Sequence, residues 1–282
     1  MFHRTSGRHG LGWRRDTPDS HDYVYAAPHG LLASLPASQS LRASPAMPSI
    51  YDQGQIGSCT SNAAARLVQF DRRLANETPD WVPSRLLMYY DVRAAEGSIA
   101  SDSGAELRDV MKTLAYYGVC PESEWPYDDT SADPTTGLFP AGCPAVTHPP
   151  KNVYVDARKH VPITYSRVQQ TLPQLKGCIC QGFPFMFGFI VFSSMFDAND
   201  NPVTDLPMPA ANDDQEGGHA VVGAGFDDGH VNADGSAGAF LIANSWGDQV
   251  QDGGYFWMPY RYITDASLCS DFWTMRRISS IV

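Results

Sequence analysis

From Gly177 to Tyr260 the sequence has no lysine and no arginine. The same stretch carries Asp197, Asp200, Asp205, Asp213, Asp214, Glu216, Asp227, Asp228, Asp234, Asp248 and Asp252, so it holds the whole of the chain's net charge of −11. Such an acidic chain lacks the basic face that general nucleic-acid binding requires. Long apolar runs are absent too. The longest candidate, Phe183 to Phe192, is broken by Pro184 and Gly188 and falls well short of the roughly 20 residues of a spanning helix. Residues 1–15 are basic, with Arg4, Arg8, Arg14 and Arg15 and no acid, yet Met1 to Asp16 contains no apolar core of a secretory signal. Neither a nucleic-acid nor a membrane partner is expected, and the compartment stays open between the cytoplasm and a non-classical export route.

Cysteine is scarce, with six in 282 residues: Cys59, Cys120, Cys143, Cys178, Cys180 and Cys269. A chain this long needs no disulfide staple, and mostly free thiols are expected. Cys178-Ile-Cys180 lacks the two-residue gap of a redox or zinc site, and the scattered histidines form no ligand spacing, so no metal is expected. Asp227 to Gly235 lacks the full spacing of a calcium loop and reads as a hairpin turn.

What is present is a globular composition. Apolar residues make up 43% and charged residues 18%, enough to bury a sizeable core in one large domain or two packed lobes. Residues 1–46 are rich in Pro, Ser, Ala, His and Arg without helical or strand period, and Leu31 to Pro48 reads as a linker or loosely docked extension. Beyond it the pattern turns helical. Ala63, Leu67, Phe70 and Leu74 share one face, with Arg66, Asp71, Arg72 and Arg73 on others, which predicts an amphipathic helix after Cys59. A second helix is predicted over Ser84–Ala95. A third is predicted to start in a capping box at Ser103-Gly104-Ala105-Glu106 and to end at Gly118. Later residues alternate short apolar runs with Gly, Pro and Asp clusters. Phe185–Phe192, His219–Phe226, Ala239–Ser245, Gly254–Tyr260 and Phe272–Ile278 read as strands, with one more helix over Val168–Gln181. Helices first and strands later predict an α+β protein of two lobes.

Three separated segments carry chemistry. In Gln53-Gly-Gln-Ile-Gly-Ser-Cys59 a cysteine follows a glycine turn and opens a helix, where backbone N–H groups favour the thiolate. Gly217-Gly218-His219 places a histidine at the start of an apolar strand. Asn244-Ser245-Trp246-Gly247 offers an amide to fix an imidazole tautomer and an indole to shield that bond. Cysteine, histidine and asparagine in this order supply a nucleophile, a base and an orienting group.

These segments resemble the papain family of cysteine peptidases. Gln53 to Cys59 matches its Q-G-x-x-G-S-C motif, and Asn244 to Gly247 its N-S-W-G. Gly254-Tyr255 and Tyr117-Gly118-Val119 followed by Trp125-Pro126-Tyr127 match further segments. The resemblance implies a papain-like two-lobe fold, a helical lobe over about 50–145 and an antiparallel β lobe over about 146–282, with the cleft between them. It implies an endopeptidase forming a thioester at Cys59, with His219 as acid and base, Asn244 orienting His219, and Gln53 in the oxyanion hole. Ser103, Gly104, Gly218, Ala220 and Trp246 are the implied substrate-binding residues. No cofactor is implied, the partner is a peptide or protein substrate, and a monomer is expected. Residues 1–46 are expected to act as a prosegment over the cleft, drawn by their basic charge toward the acidic half; 47–282 form the peptidase domain. Two other readings share the residues: a thiol acyltransferase or amidase, and an inactive peptide-binding protein. The sequence departs from the family at Thr60 and Val250, where tryptophans are usual, at Ile56, where a cysteine is usual, and at Gly218, where aspartate is common.

Overall fold

The computed structural model describes residues 9–280, apart from the side chains of residues 162, 163 and 277–280. Arg4, Arg8 and His3 lie outside that range. The N-terminal segment supplies strands β1 (Trp13–Arg14), β2 (Val24–Tyr25) and β3 (Ser38–Ser40), with one helical turn, α1 (His29–Leu32), between the last two. The helical lobe follows: α2 (Cys59–Leu74), α3 (Arg85–Ala95), the short strand β4 (Ala105–Glu106), α4 (Leu107–Tyr117) and α5 (Lys151–Ala157). The β lobe contains β5 (His160–Val168), α6 (Leu172–Cys180), β6 (Phe185–Phe192), β7 (Gln215–Val231), β8 (Ala237–Ala243), β9 (Tyr255–Pro259), α7 (Tyr260–Thr264) and β10 (Cys269–Ser280).

Eight strands form one sheet in the order β2-β5-β10-β6-β7-β8-β9, with β3 added on β7. All its pairs are antiparallel except β2 with β5. β6 reads FMFGFIVF and is buried on both faces, as its unbroken apolar run requires. One of those faces takes α2, which packs on β6, β7 and β10. This explains the first departure from sequence expectation. α2 reaches solvent only at its last turn, where Leu74 is exposed: Arg66, Asp71 and Arg72 are buried along with Ala63, Leu67 and Phe70. Their polar groups are matched locally. Arg66 Nη1 donates to the Pro48 carbonyl at 3.0 Å, and the Arg72 guanidinium lies 4.0 Å from the Trp81 ring centroid.

The second predicted helix forms as expected, with Ser84 Oγ accepting from Leu87 N–H at its start. The third begins at Leu107, three residues late, and no side chain caps it. Ser103–Glu106 instead runs extended, because Ala105 and Glu106 pair with β1. Strand β5 was not legible: Pro162 interrupts its pattern, so helix α6 starts at Leu172 and Val168 ends the strand. α5 packs its Val153 and Ala157 on Leu87 and Cys120 of the helical lobe.

Of the two readings for Leu31 to Pro48 the structure shows the docked one: residues 9–46 are a belt packed on the two lobes. Ser38 to Ser40 pair in register with Asp227 to Gly225, and Tyr25, Ala27, Leu41 and Ala46 are buried. Asp16 is the main anchor. Its carboxylate accepts from Arg167 Nη2 at 2.8 Å, Trp273 Nε1 at 2.9 Å and Arg108 N–H at 3.0 Å. Of the described basic residues of the segment only Arg42 meets the acidic stretch, at Asp252; Arg14 pairs with Glu96, and Arg15 donates to the Ala266 and Ser267 carbonyls. Other acids of the stretch are neutralised from elsewhere, Asp228 by Lys176 and Asp234 by Arg261. Residues 232–236 form the expected hairpin turn, braced by Asn232 Nδ2 donating to the Ser236 carbonyl at 3.1 Å. All six cysteines are free thiols.

Candidate active site

Cys59 is the first residue of α2 and is fully buried. The loop before it turns at Gly54, whose positive φ of 58° and contact with Asp129 leave no room for a side chain. The backbone amides of Ala220, Gly12 and Thr60 near Cys59 favour its thiolate. Burial nevertheless dominates and pushes its thiol up to about 11, with the nearby Asp102 charge acting the same way.

His219 is paired across the sheet with Phe189 and is also fully buried. Its Nε2 meets Asn244 Oδ1 at 2.9 Å. Asn244 is held in turn: Nδ2 donates to Gln251 Oε1 at 2.9 Å, and Oδ1 also accepts Ser245 N–H at 2.8 Å. This leaves Oδ1 as the atom facing the imidazole and fixes which ring nitrogen carries the proton toward it. Trp246 stacks on His219 with centroids 4.7 Å apart. Burial depresses the His219 pKa to about 4, against the opposing bond from Asn244. Its Nδ1 is buried with no hydrogen-bond partner.

Gln53 is fixed from both ends. Its Oε1 accepts from Ser245 Oγ at 2.7 Å, so Nε2 must point the other way. Nε2 donates to the Ile56 carbonyl at 3.0 Å and to the Gly10 carbonyl at 2.7 Å. Tyr127, the last residue of the Trp-Pro-Tyr segment, supports the loop by donating to the Gln53 carbonyl at 2.9 Å.

The partner on the far side of Gln53 is the chain's own strap, residues 9–14. Gly12 oxygen accepts from Ala105 N–H at 2.8 Å, which sets β1 parallel to β4 along the cleft edge. His9 stacks on Trp246 with centroids 5.3 Å apart. Trp13 fills a slot floored by glycines. A Cβ at Gly188 would meet its indole at 1.8 Å, and one at Gly218 would meet its carbonyl oxygen at 2.2 Å. Trp13 Nε1 donates to Asp271 Oδ2 at 3.2 Å.

Residues 35–270 match the sequence profile of the papain family cysteine protease. The chain belongs to the papain family. A peptidase C1-like protein, L477, of Acanthamoeba polyphaga mimivirus is 34% identical over 81% of this chain and 70% of its own length. Among solved structures, xylellain, a cysteine protease from Xylella fastidiosa, superposes with a TM-score of 0.89 at 44% identity, over 95% of this chain and 96% of the other. Procathepsin B S9 from Trypanosoma congolense shares the fold, with a TM-score of 0.68 at 14% identity over 95% of this chain and 87% of the other. The protein is thus a papain-like cysteine peptidase, a hydrolase of peptide substrates, with the α+β two-lobe fold that its sequence implies. Among the described residues no helix is long and apolar enough to cross a membrane.

In this papain-family peptidase Cys59, His219, Asn244 and Gln53 converge from the two lobes. Gly104, Gly218 and Ala220 line the same cleft: each touches the strap or Cys59. Ser103 lies one residue off that edge, with its Oγ 2.8 Å from Ser98 Oγ. Trp246 is buried, its ring stacked against His9, Phe196 and His219. Sequence reasoning missed Ser245 and Gln251, which orient the two amides, and Asp102 and Tyr89 beside the nucleophile loop. Ser245 could have been found, since it sits inside the Asn-Ser-Trp-Gly motif. The others are distant in sequence and carry no local signal.

Proposed function

We propose that this peptidase is an endopeptidase working through a Cys59 thioester and is latent while residues 9–14 cover its cleft. The observation that carries the reading is the Gly10 carbonyl accepting from Gln53 Nε2 at 2.7 Å. A carbonyl of the strap thus takes the donor meant for the developing oxyanion.

The strap also acts electrically. With the cleft sealed, the thiol at about 11 and the imidazole at about 4 make a neutral pair, the inactive protonation state. Removing the strap readmits water, which stabilises the charged forms of both and favours thiolate–imidazolium. The thiolate then attacks the scissile carbonyl, and the oxyanion is received by Gln53 Nε2 and Cys59 N–H. His219 passes its proton to the leaving amine. Water, deprotonated by His219, releases the acid and frees the thiol. Asn244 keeps the imidazole in the required tautomer throughout.

The boundary of the latent segment follows from packing. Cutting near Ala46 would remove β2, β3 and the Asp16 anchor, whereas a chain starting at Asp16 keeps them and loses the strap with the Arg15 bonds to Ala266 and Ser267. Hydrolysis of a fluorogenic peptide by this shorter chain is expected to exceed that of the full chain severalfold, and Cys59→Ala is expected to abolish it in both. Equal activity from the two lengths would overturn latency without touching the peptidase assignment. A competing amine that captured most of the acyl group would move the reading to an acyltransferase.

A further inference from the structure

Ile56 stands where the papain family carries a cysteine, and Cys59 and the other thiols are free, so no disulfide holds the loop before the nucleophile. Something else must fix the Ile56–Gly57 peptide. Its carbonyl end receives Gln53 Nε2 at 3.0 Å and Ser58 N–H at 2.8 Å. Its amide end, Gly57 N–H, donates to Asp102 Oδ1 at 2.8 Å. Asp102 lies on the loop before β4, 45 residues away in the chain. The same oxygen accepts from Tyr89 Oη at 2.5 Å, and Tyr89 Oη accepts from Gly104 N–H at 3.2 Å. Tyr89 is fully buried on α3, with the Arg93 guanidinium 4.2 Å from its ring centroid. An unbroken run therefore leads from the peptide-docking edge at Gly104 through Tyr89 and Asp102 to the peptide that sets Gln53.

We propose that Asp102, supported by Tyr89, is a positioning residue for the oxyanion hole of this peptidase, tying the Gln53–Cys59 loop to the edge where substrate docks. A peptide plane has two hydrogen-bonding ends. If Asp102 releases the N–H, the plane is free to rotate, the Ile56 carbonyl leaves Gln53, and the Gln53 amide loses its aim. A misplacement of about 1 Å at such a donor costs on the order of a hundredfold in rate. Asp102 also adds negative charge near the thiol. Asp102 is the charged group that acts on Cys59, and its charge opposes ionisation of the thiol.

The proposal rests on the peptidase reading, and its test is a ratio within one background. The full chain carrying Trp13→Ala, which empties the Gly188–Gly218 slot, serves as parent. If Trp13→Ala itself gains no activity over the native chain, latency is in doubt, but the comparisons below still stand. Asp102→Ala is expected to lower kcat about tenfold or more, with KM less affected. Asp102→Asn keeps both acceptor roles and loses the charge; it is expected to restore most of kcat and to move the acid limb of kcat/KM to lower pH. Tyr89→Phe cuts the link to Gly104 and is expected to raise KM more than it lowers kcat. Should Asp102→Ala fail to fold, the Asn and Phe variants carry the test. An Asp102→Asn enzyme with an unmoved acid limb, or a Tyr89→Phe enzyme with parental KM, would overturn the positioning role.

Discussion

Cys59 and His219 owe their neutral pairing to burial, not to their immediate partners. Three backbone amides near Cys59 favour the thiolate, yet complete loss of solvent outweighs them. The same holds for His219, where the Asn244 bond favours the cation and desolvation wins. Gln53 is the contrasting case, because its work needs no charge. Ser245 and Ile56 leave one N–H of its amide to meet an oxyanion once the Gly10 carbonyl is withdrawn. Gln53→Ala in the strap-free enzyme is expected to lower kcat by about 10²–10³-fold with KM nearly unchanged, read by steady-state kinetics. A matching rise in KM would mean that the amide binds ground-state substrate instead.

At the scale of elements, the strap fits because two glycines let two backbones touch. A Cβ on Gly12 would stand 1.8 Å from the Gly57 carbonyl oxygen, and one on Gly104 would stand 1.9 Å from the Gly12 oxygen. Both obstacles are backbone, so neither yields cheaply. Gly12→Ala is therefore expected to lift the strap and raise basal peptide hydrolysis by the full chain, while leaving the cleft itself intact. Gly30→Ala, on α1 with nothing near its Cβ, is the matched control and is expected to change nothing. Activity that rose equally in both variants would dismiss the strap contact as the cause. β4 is short for the same reason: as the edge that receives β1, it must stay extended where the sequence offers a capping box.

Across the whole molecule, the belt joins the two lobes through one buried charge cluster. Asp16, Asp22 and Asp271 meet Arg108 and Arg167, three carboxylates against two guanidiniums. One negative charge is in excess. Burial first, and then the Asp271 charge, raise the Asp16 carboxyl to about 6, while its bonds from Arg108, Trp273 and Arg167 oppose the shift. The sign follows directly. A group whose pKa is higher in the folded state binds its proton more tightly there, so its contribution is full below the unfolded value and fades as pH rises through about 6. Belt docking is thus expected to be firmer in acid, and thermal unfolding of the full chain to lose a few degrees between pH 5 and pH 7. Asp16→Asn is expected to flatten that dependence; an unchanged slope in this variant would assign it to other groups.

Much of this was legible in the sequence. The Gln53–Cys59, His219 and Asn244–Gly247 segments identify the family because catalysis demands those residue types in that local context. The apolar runs at Phe185–Phe192 and His219–Phe226 locate central strands because a sheet covered on both faces admits little else. The belt was not legible. Residues 9–46 have no period, since their partners are supplied by a sheet edge and a cleft built from residues far away in the chain. Asp102 was equally silent: its meaning lies in one N–H of Gly57, which only the folded loop presents. Sequence alone thus determined the family, the candidate nucleophile and base, and the two-lobe scaffold, because local chemistry and hydrophobic pattern specify them. Tertiary structure alone decided what covers the nucleophile and what holds its loop, because both depend on backbone groups that sequence does not distinguish.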